Sequence, residues 1–462
     1  MIRPMKLDGQ QLSRITHCWI LLTLIALALL LKQWLYEEIA ASYCCLQSDN
    51  LDTLPLRDFW KLLLPSDGGG AGFTHWGSSG MAAGELIRRL TGNLHNANLV
   101  FLALAMCAAY WCGINIYKNL ISAIVLTLLV GLGTHLNYVY YHNHVGVFNL
   151  FIAYVLLNIS FGYKIVFEGE TDLRYRIGFI LSLLLIMVFS EIWVNYFAFL
   201  LCSVFFLWFL SIRHSGFIMV HRIKPLAISV LVLMALYLPI RLSYGVHLST
   251  PGGEEEVIFT YPSLVLMLDD FIVNIFTFLH ASLTSFIPPI FTFSNSISVY
   301  GSSEIMAQQN GYHPAGTHLV PYSHLFLWRF VAGGVVFGFA YFFARKFYRC
   351  LITKELRSVL IVLLCIMILV GFASHSIIKF RPYNSTPFLT YKCITSVIGV
   401  YLLTAGFFSS IKLVRSTFFF RSALFCLLFL ILVNSFTRPI YENTAYNETH
   451  LWYRSPYTNF SF

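Results

Sequence analysis

The chain has 462 residues, of which 58% are hydrophobic and 11% charged, with a net charge of +9. A soluble domain is about 25% charged, so a fold with a mainly water-facing surface is excluded and the chain is expected to bury itself in lipid. Apolar runs of helix length exclude a membrane barrel, whose strands would be about half as long and would alternate.

The expected fold is all-α, a polytopic transmembrane helical bundle. Stretches long enough to cross about 30 Å of hydrocarbon recur along the chain. Eleven are read in order: Ile15–Tyr36, Ala97–Tyr117, Leu120–Leu136, Gly146–Val166, Ile177–Phe189, Tyr196–Ile212, Pro225–Ile240, Leu325–Ala344, Val359–Ala373, Phe388–Phe407 and Ser422–Phe436. They form one membrane domain over 1–462, interrupted by a first outer loop at 37–96 and a second outer segment at 241–324, and followed by an outer tail at 437–462. Placing the N-terminus in the cytoplasm puts more than half of the 30 lysines and arginines on the inner side, among them Lys118, Arg174, Arg213, Lys224, Arg345 and Lys412. Most of the 21 acids then fall outside, as the positive-inside rule favours. That asymmetry accounts for the positive charge without nucleic acid, and it locates the protein in a cell membrane, facing its chemistry away from the cytoplasm.

Residues 263–287 are apolar enough to span but carry Asp269, Asp270 and His280 and end at Pro288-Pro289. Crossing there would move Arg345, Lys346, Arg349, Lys354 and Arg357 outside, so a re-entrant or interfacial helix is preferred. The first span is longer than the apolar core of a signal peptide and is expected to be retained. Ten cysteines show no zinc-ligand spacing and imply no disulfide framework. The Asn-x-Ser/Thr triplets at Asn158, Asn384, Asn447 and Asn459 are read as chance.

Five groups on the outer side carry potential chemistry. In the first loop Asp49, Asp52 and Asp58 lie just beyond the first span, with Arg57 and Lys61 interleaved and His75-Trp76 further on. A carboxylate at the membrane edge can deprotonate an acceptor hydroxyl while a cation holds a phosphate leaving group; the competing reading is a solvated loop in which Asp52 caps a helix. His135, His142 and His144 lie among tyrosines between the third and fourth spans. An aromatic wall of a sugar site suits them better than a metal site, against the plain reading of an interfacial belt. Glu191 sits in a very short outer turn, where an acid is costly unless paired or functional. The segment 241–324 opens with Arg241 and holds Asp269 and Asp270 in an apolar helix, besides a solvated run Glu254-Glu255-Glu256. Lys379 and Arg381, among aromatics just outside the ninth span, suit a lipid phosphate or pyrophosphate, or else anchor the chain at headgroups.

An N-terminal span leading into a large outer loop with an early acidic motif, then paired spans and a second large outer segment, resembles the GT-C class of integral-membrane glycosyltransferases. It is closest in kind to the bacterial enzymes that decorate O-antigen or other envelope glycans. Families of this class carry Asp-x-Asp, Glu-x-Asp or Asp-Glu, whereas this chain has Asp49-x-x-Asp52. The resemblance implies transfer of a sugar from a polyprenyl-phosphate carrier to an acceptor glycan or lipid on the outer face, with Asp49 and Asp52 as candidate bases. Glu191 stands as a second catalytic acid; Arg57, His75, Trp76, His142, His144, Asp269 and Asp270 as substrate contacts; and Arg241, Lys379 and Arg381 as phosphate ligands. No metal or cofactor is expected, since there is no Gly-rich nucleotide loop and phosphate is already a fair leaving group. The rivals are an O-antigen polymerase or ligase, expected to concentrate arginine in outer loops where 241–324 holds only Arg241, and a lipid flippase or transporter. The last would place charges near the bilayer midplane, whereas only Lys32 and Lys392 lie well inside spans and Lys32 is able to snorkel.

Overall fold

The computed structural model describes residues 14–40, 86, 89–90, 94–133, 148–187, 193–214, 220–243, 322–353, 355–378, 394–410 and 417–457. Among them the regular elements are helices: α1 (Arg14–Ala40), α2 (Leu94–Tyr117), α3 (Leu120–Leu132), α4 (Phe148–Tyr163), α5 (Leu173–Met187), α6 (Trp193–Arg213), α7 (Val220–Ser243), α8 (Tyr322–Ile352), α9 (Leu356–Ile378), α10 (Ile394–Phe407) and α11 (Phe418–Tyr457). A π-helical turn, Lys164–Glu168, ends α4, and a 3-10 turn, Phe408–Ser410, ends α10. Each apolar stretch read from the sequence overlaps one of these helices, while 134–136, 146–147, 188–189 and 388–393 of those stretches lie outside the described residues. Five described spans are long and apolar enough to cross a bilayer: Ile15–Leu35, His95–Tyr117, Phe148–Glu168, Asn195–Arg213 and Phe418–Thr437. Leu120–Leu132, Leu356–Gly371 and Ile394–Phe407 are shorter apolar helices.

The tightest part of the bundle is α2 packed on α3 and α4, with α4 on α5 and α9 on α6 and α10. Helices in an apolar medium gain little from burying apolar surface against one another, so close packing through small residues holds them. A Cβ on Gly113 of α2 would come within 2.6 Å of the Ala123 backbone on α3. Between α9 and α10 the same device is used twice: Gly371 faces Ser396, and Gly399 faces Ile368. The Ser396 hydroxyl, brought close in this way, donates to the Ile368 carbonyl at 2.7 Å. Away from the core, Leu30, Phe337, Phe418 and Phe425 leave most of their apolar surface exposed, as side chains facing hydrocarbon do.

Successive helices alternate in direction, which gives the bundle two distinct ends. At the basal end the helices are joined by short connectors. Lys118 and Asn119 link α2 to α3: Asn119 caps α3 by accepting from the Ile121 amide at 2.8 Å and donates to the Ser409 carbonyl at 2.9 Å. Glu168, at the end of the π turn, pairs with Lys118 at 2.6 Å and Lys164 at 2.5 Å. Burial lowers the Lys118 ammonium pKa, and the Glu168 carboxylate pulls against that shift. The Arg213 guanidinium donates to the Leu351 carbonyl at 3.1 Å, and the His214 ring bonds the Cys350 carbonyl at 2.9 Å, so α6 and α8 also end here.

Candidate functional site

The opposite, distal end gathers polar side chains that the sequence places within hydrophobic helices. Gln33, near the end of α1, meets His95, at the start of α2, through a 3.1 Å contact between Oε1 and Nε2. Trp34 packs against Phe436, with ring centroids 5.7 Å apart, which brings α11 to the same place. Around this end Lys32, Asn98, Asn149, Asn195, Thr395 and Asn434 are all buried, contributed by α1, α2, α4, α6, α10 and α11. The Asn98 Nδ2 and Thr395 Oγ1 atoms have no hydrogen-bond partner among the described residues. A buried polar group costs free energy unless a partner satisfies it, so buried amides on several helices make this end a candidate site.

Lys32 decides between two sequence readings. Its side chain keeps 1% of its surface exposed, so it does not snorkel to solvent but is enclosed among the helices. A buried ammonium needs compensating polar groups.

Connectivity links this end to the segments singled out from the sequence. Asp49, Asp52, Arg57, His75 and Trp76 lie outside the described residues, between Ala40 of α1 and Leu94 of α2, both distal helix ends. His142 and His144 also lie outside them, between the distal ends of α3 and α4, as does Glu191 between α5 and α6. Asp269 and Asp270, between α7 and α8, and Lys379 and Arg381, between α9 and α10, lie outside the described residues as well. Arg241 belongs to the last turn of α7 by its backbone, and its side chain is outside the description. The helix ends flanking all five segments are therefore distal.

Sequence reasoning did not single out the buried amides. The signal was present as polar residues inside apolar runs, but asparagine in a span is equally compatible with a helix–helix contact. Asn158 is such a case. Its amide donates to the Phe179 carbonyl at 2.8 Å and to Ser182 Oγ at 2.9 Å, while Tyr196 donates to its Oδ1 at 2.8 Å. The Asn-x-Ser triplet there is a mid-bundle clamp joining α4, α5 and α6, closed to any modifying enzyme. Among the described residues no three His, Cys, Asp or Glu side chains come together as metal ligands. No family model, curated protein or solved structure matches the chain.

Proposed function

We propose that the protein is a multi-pass membrane glycosyltransferase, of about eleven spans, that moves a sugar from a polyprenyl-phosphate donor to an acceptor glycan or lipid at the distal face. The observation that carries this reading is the shared end: buried polar residues of α1, α2, α4, α6, α10 and α11 lie towards the same end of the bundle at which the segments bearing the acids, histidines and cations read from the sequence join the helices. A lipid-linked donor enters from the bilayer, and a site at the ends of spanning helices meets both the lipid phosphate and a water-borne acceptor. Nucleotide sugars are confined to the cytoplasm, which makes a lipid carrier the donor suited to an outer face.

In this reaction the acceptor oxygen forms a bond to the anomeric carbon as the bond from that carbon to the phosphate oxygen breaks. The acceptor proton passes to a carboxylate, for which Asp49 and Asp52 are the candidates and Glu191 the second choice. Lys379, Arg381 and Arg241 hold the departing phosphate through charge-assisted contacts. Lys32, buried in the second half of α1, adds a basic side chain to the same half of the bundle.

The test is the Asp49→Asn, Asp52→Asn double variant at matched membrane expression, scored by transfer from a polyprenyl-phosphate sugar in proteoliposomes. Loss of a general base lowers turnover by roughly two or more orders of magnitude. Full transfer in the double variant would remove both residues from the chemistry, and absence of transfer by the unaltered protein across a panel of lipid-linked sugars would remove the transferase reading.

A further inference from the structure

Between α4, α6, α7 and α9 lies a cavity of about 100 Å³, apart from the distal cluster, walled almost wholly by apolar side chains. Tyr196 and Asn158 stand at its mid-bundle end, while Val166, Leu207, Ile223 and Leu363 line it towards the basal end. The two polar groups at its inner end are already committed to each other at 2.8 Å, so the cavity offers hydrocarbon contact and little else. An apolar cavity of about 150 Å³ holds a benzene-sized group; this one has room for the last few carbons of a chain, not a whole ligand.

The basal side carries a charge of the complementary kind. Arg222 adjoins Ile223, a lining residue, and its guanidinium packs directly against Gly169. Gly169 has φ +73 and closes the π turn; any side chain there would collide with the guanidinium, at 2.4 Å from a Cβ. Glu168, the residue before Gly169, is already paired with Lys118 and Lys164. Arg222 takes part in no ion pair among the described residues, and His221 and Lys224 beside it are exposed. A cation outside any ion pair among the described residues, one residue from the wall of an apolar cavity, is complementary to an anion attached to a hydrocarbon chain.

We infer that this cavity binds an anionic phospholipid of the basal-side leaflet, with an acyl-chain end between α4, α6, α7 and α9 and its phosphodiester against Arg222. The site is separate from the proposed transfer chemistry and stands whether or not that chemistry is correct. Occupancy would tie α7 to α4 and α9 at a point where the packing leaves a gap.

Native mass spectrometry of the full chain in detergent tests this with phosphatidylglycerol, phosphatidylcholine and inorganic phosphate as probes. One phosphatidylglycerol is retained in preference to phosphatidylcholine by about fivefold, the preference expected from one surface cation. Arg222→Gln removes the preference. Gly162 lines the cavity, and a Cβ there meets only the Phe179 ring, at 3.5 Å, so Gly162→Leu fills the space and lowers retention of both lipids. Should that variant not fold, phosphatidylglycerol with a photoreactive group at its chain end decides the question by labelling Val204 or Leu207 in the unaltered protein. Equal retention of the two lipids, unchanged retention in folded Gly162→Leu, displacement by inorganic phosphate, or labelling elsewhere would each overturn the inference.

Discussion

Tyr196 of α6 donates its hydroxyl to Asn158 of α4 at 2.8 Å, and neither side chain has measurable solvent exposure. With Asn158 donating to the Phe179 carbonyl and Ser182, one amide satisfies polar groups on three helices. Interhelical hydrogen bonds in membrane bundles average about 0.6 kcal/mol, so Tyr196→Phe is expected to cost little, on the order of 0.5–1 kcal/mol. Asn158→Leu removes every contact and strands the Tyr196 hydroxyl in apolar surroundings, a loss of about 1–3 kcal/mol. Unfolding of the purified protein by graded denaturing detergent measures both; equal losses would show that the amide acts only through Tyr196.

The glycines between α9 and α10 predict a second asymmetry. A Cβ on Gly371 would lie 2.6 Å from Ser396 Oγ and 3.0 Å from the Ser396 amide nitrogen, which is backbone and cannot turn aside. Gly371→Val is expected to part the helices, break the Ser396 bond to the Ile368 carbonyl and destabilise by about 1–3 kcal/mol. Gly338 of α8 has nothing within 4 Å of a Cβ. Gly338→Ala should therefore leave stability unchanged or raise it, since alanine is the better helix former. Thermal aggregation of the two variants beside the parent separates these outcomes.

The helices were legible because composition records the solvent a segment meets. The apolar runs overlap helices among the described residues, five of them long and apolar enough to cross a bilayer, but the helix ends are less well marked. The helix at Ser422–Phe436 continues as backbone to Tyr457, and the one at Leu325 begins at Tyr322, because hydrogen bonding continues past the apolar stretch. Nothing in Lys164–Glu168 announces a π turn. The distal cluster was illegible for a different reason. Lys32, Asn98, Asn149 and Asn434 are separated widely in the chain, and only alternation of helix direction brings them to one end.

Sidedness follows from the two ends. Residues 169–172 connect α4 to α5 at the basal end, whose basic residues include Lys118, Lys164 and Arg174, while Thr437 closes the apolar span of α11 beside the distal contact of Trp34 with Phe436. In the proposed orientation, which the positive-inside rule favours, the basal end is cytoplasmic. A reporter active only in the cytoplasm, inserted after Glu170, should be active, and the same reporter fused after Phe462 should be silent, with a periplasm-dependent reporter giving the reverse. Both positions reporting one compartment would contradict the proposed orientation and, with it, the outer placement of the catalytic segments.

The phosphate clamp gives the last prediction. Lys379 and Arg381 directly follow α9, which ends at Ile378 on the distal side, so a lipid phosphate at that end would lie at the level where these two cations enter the sequence. Exchanging both for Gln preserves length and hydrogen-bonding capacity but removes two positive charges, each of which contributes a charge-assisted contact to a phosphate. A site that uses them to bind donor should lose apparent donor affinity by about tenfold or more while folding and membrane insertion stay intact. Transfer assays across a range of polyprenyl-phosphate sugar concentrations distinguish the effect from lost turnover, because raised donor concentration restores the rate of a binding variant and leaves a base variant such as Asp49→Asn unrescued. A double variant with unchanged donor dependence would reassign the pair to anchoring α9 at the headgroups, and would leave Arg241, in the last turn of α7, as the remaining candidate.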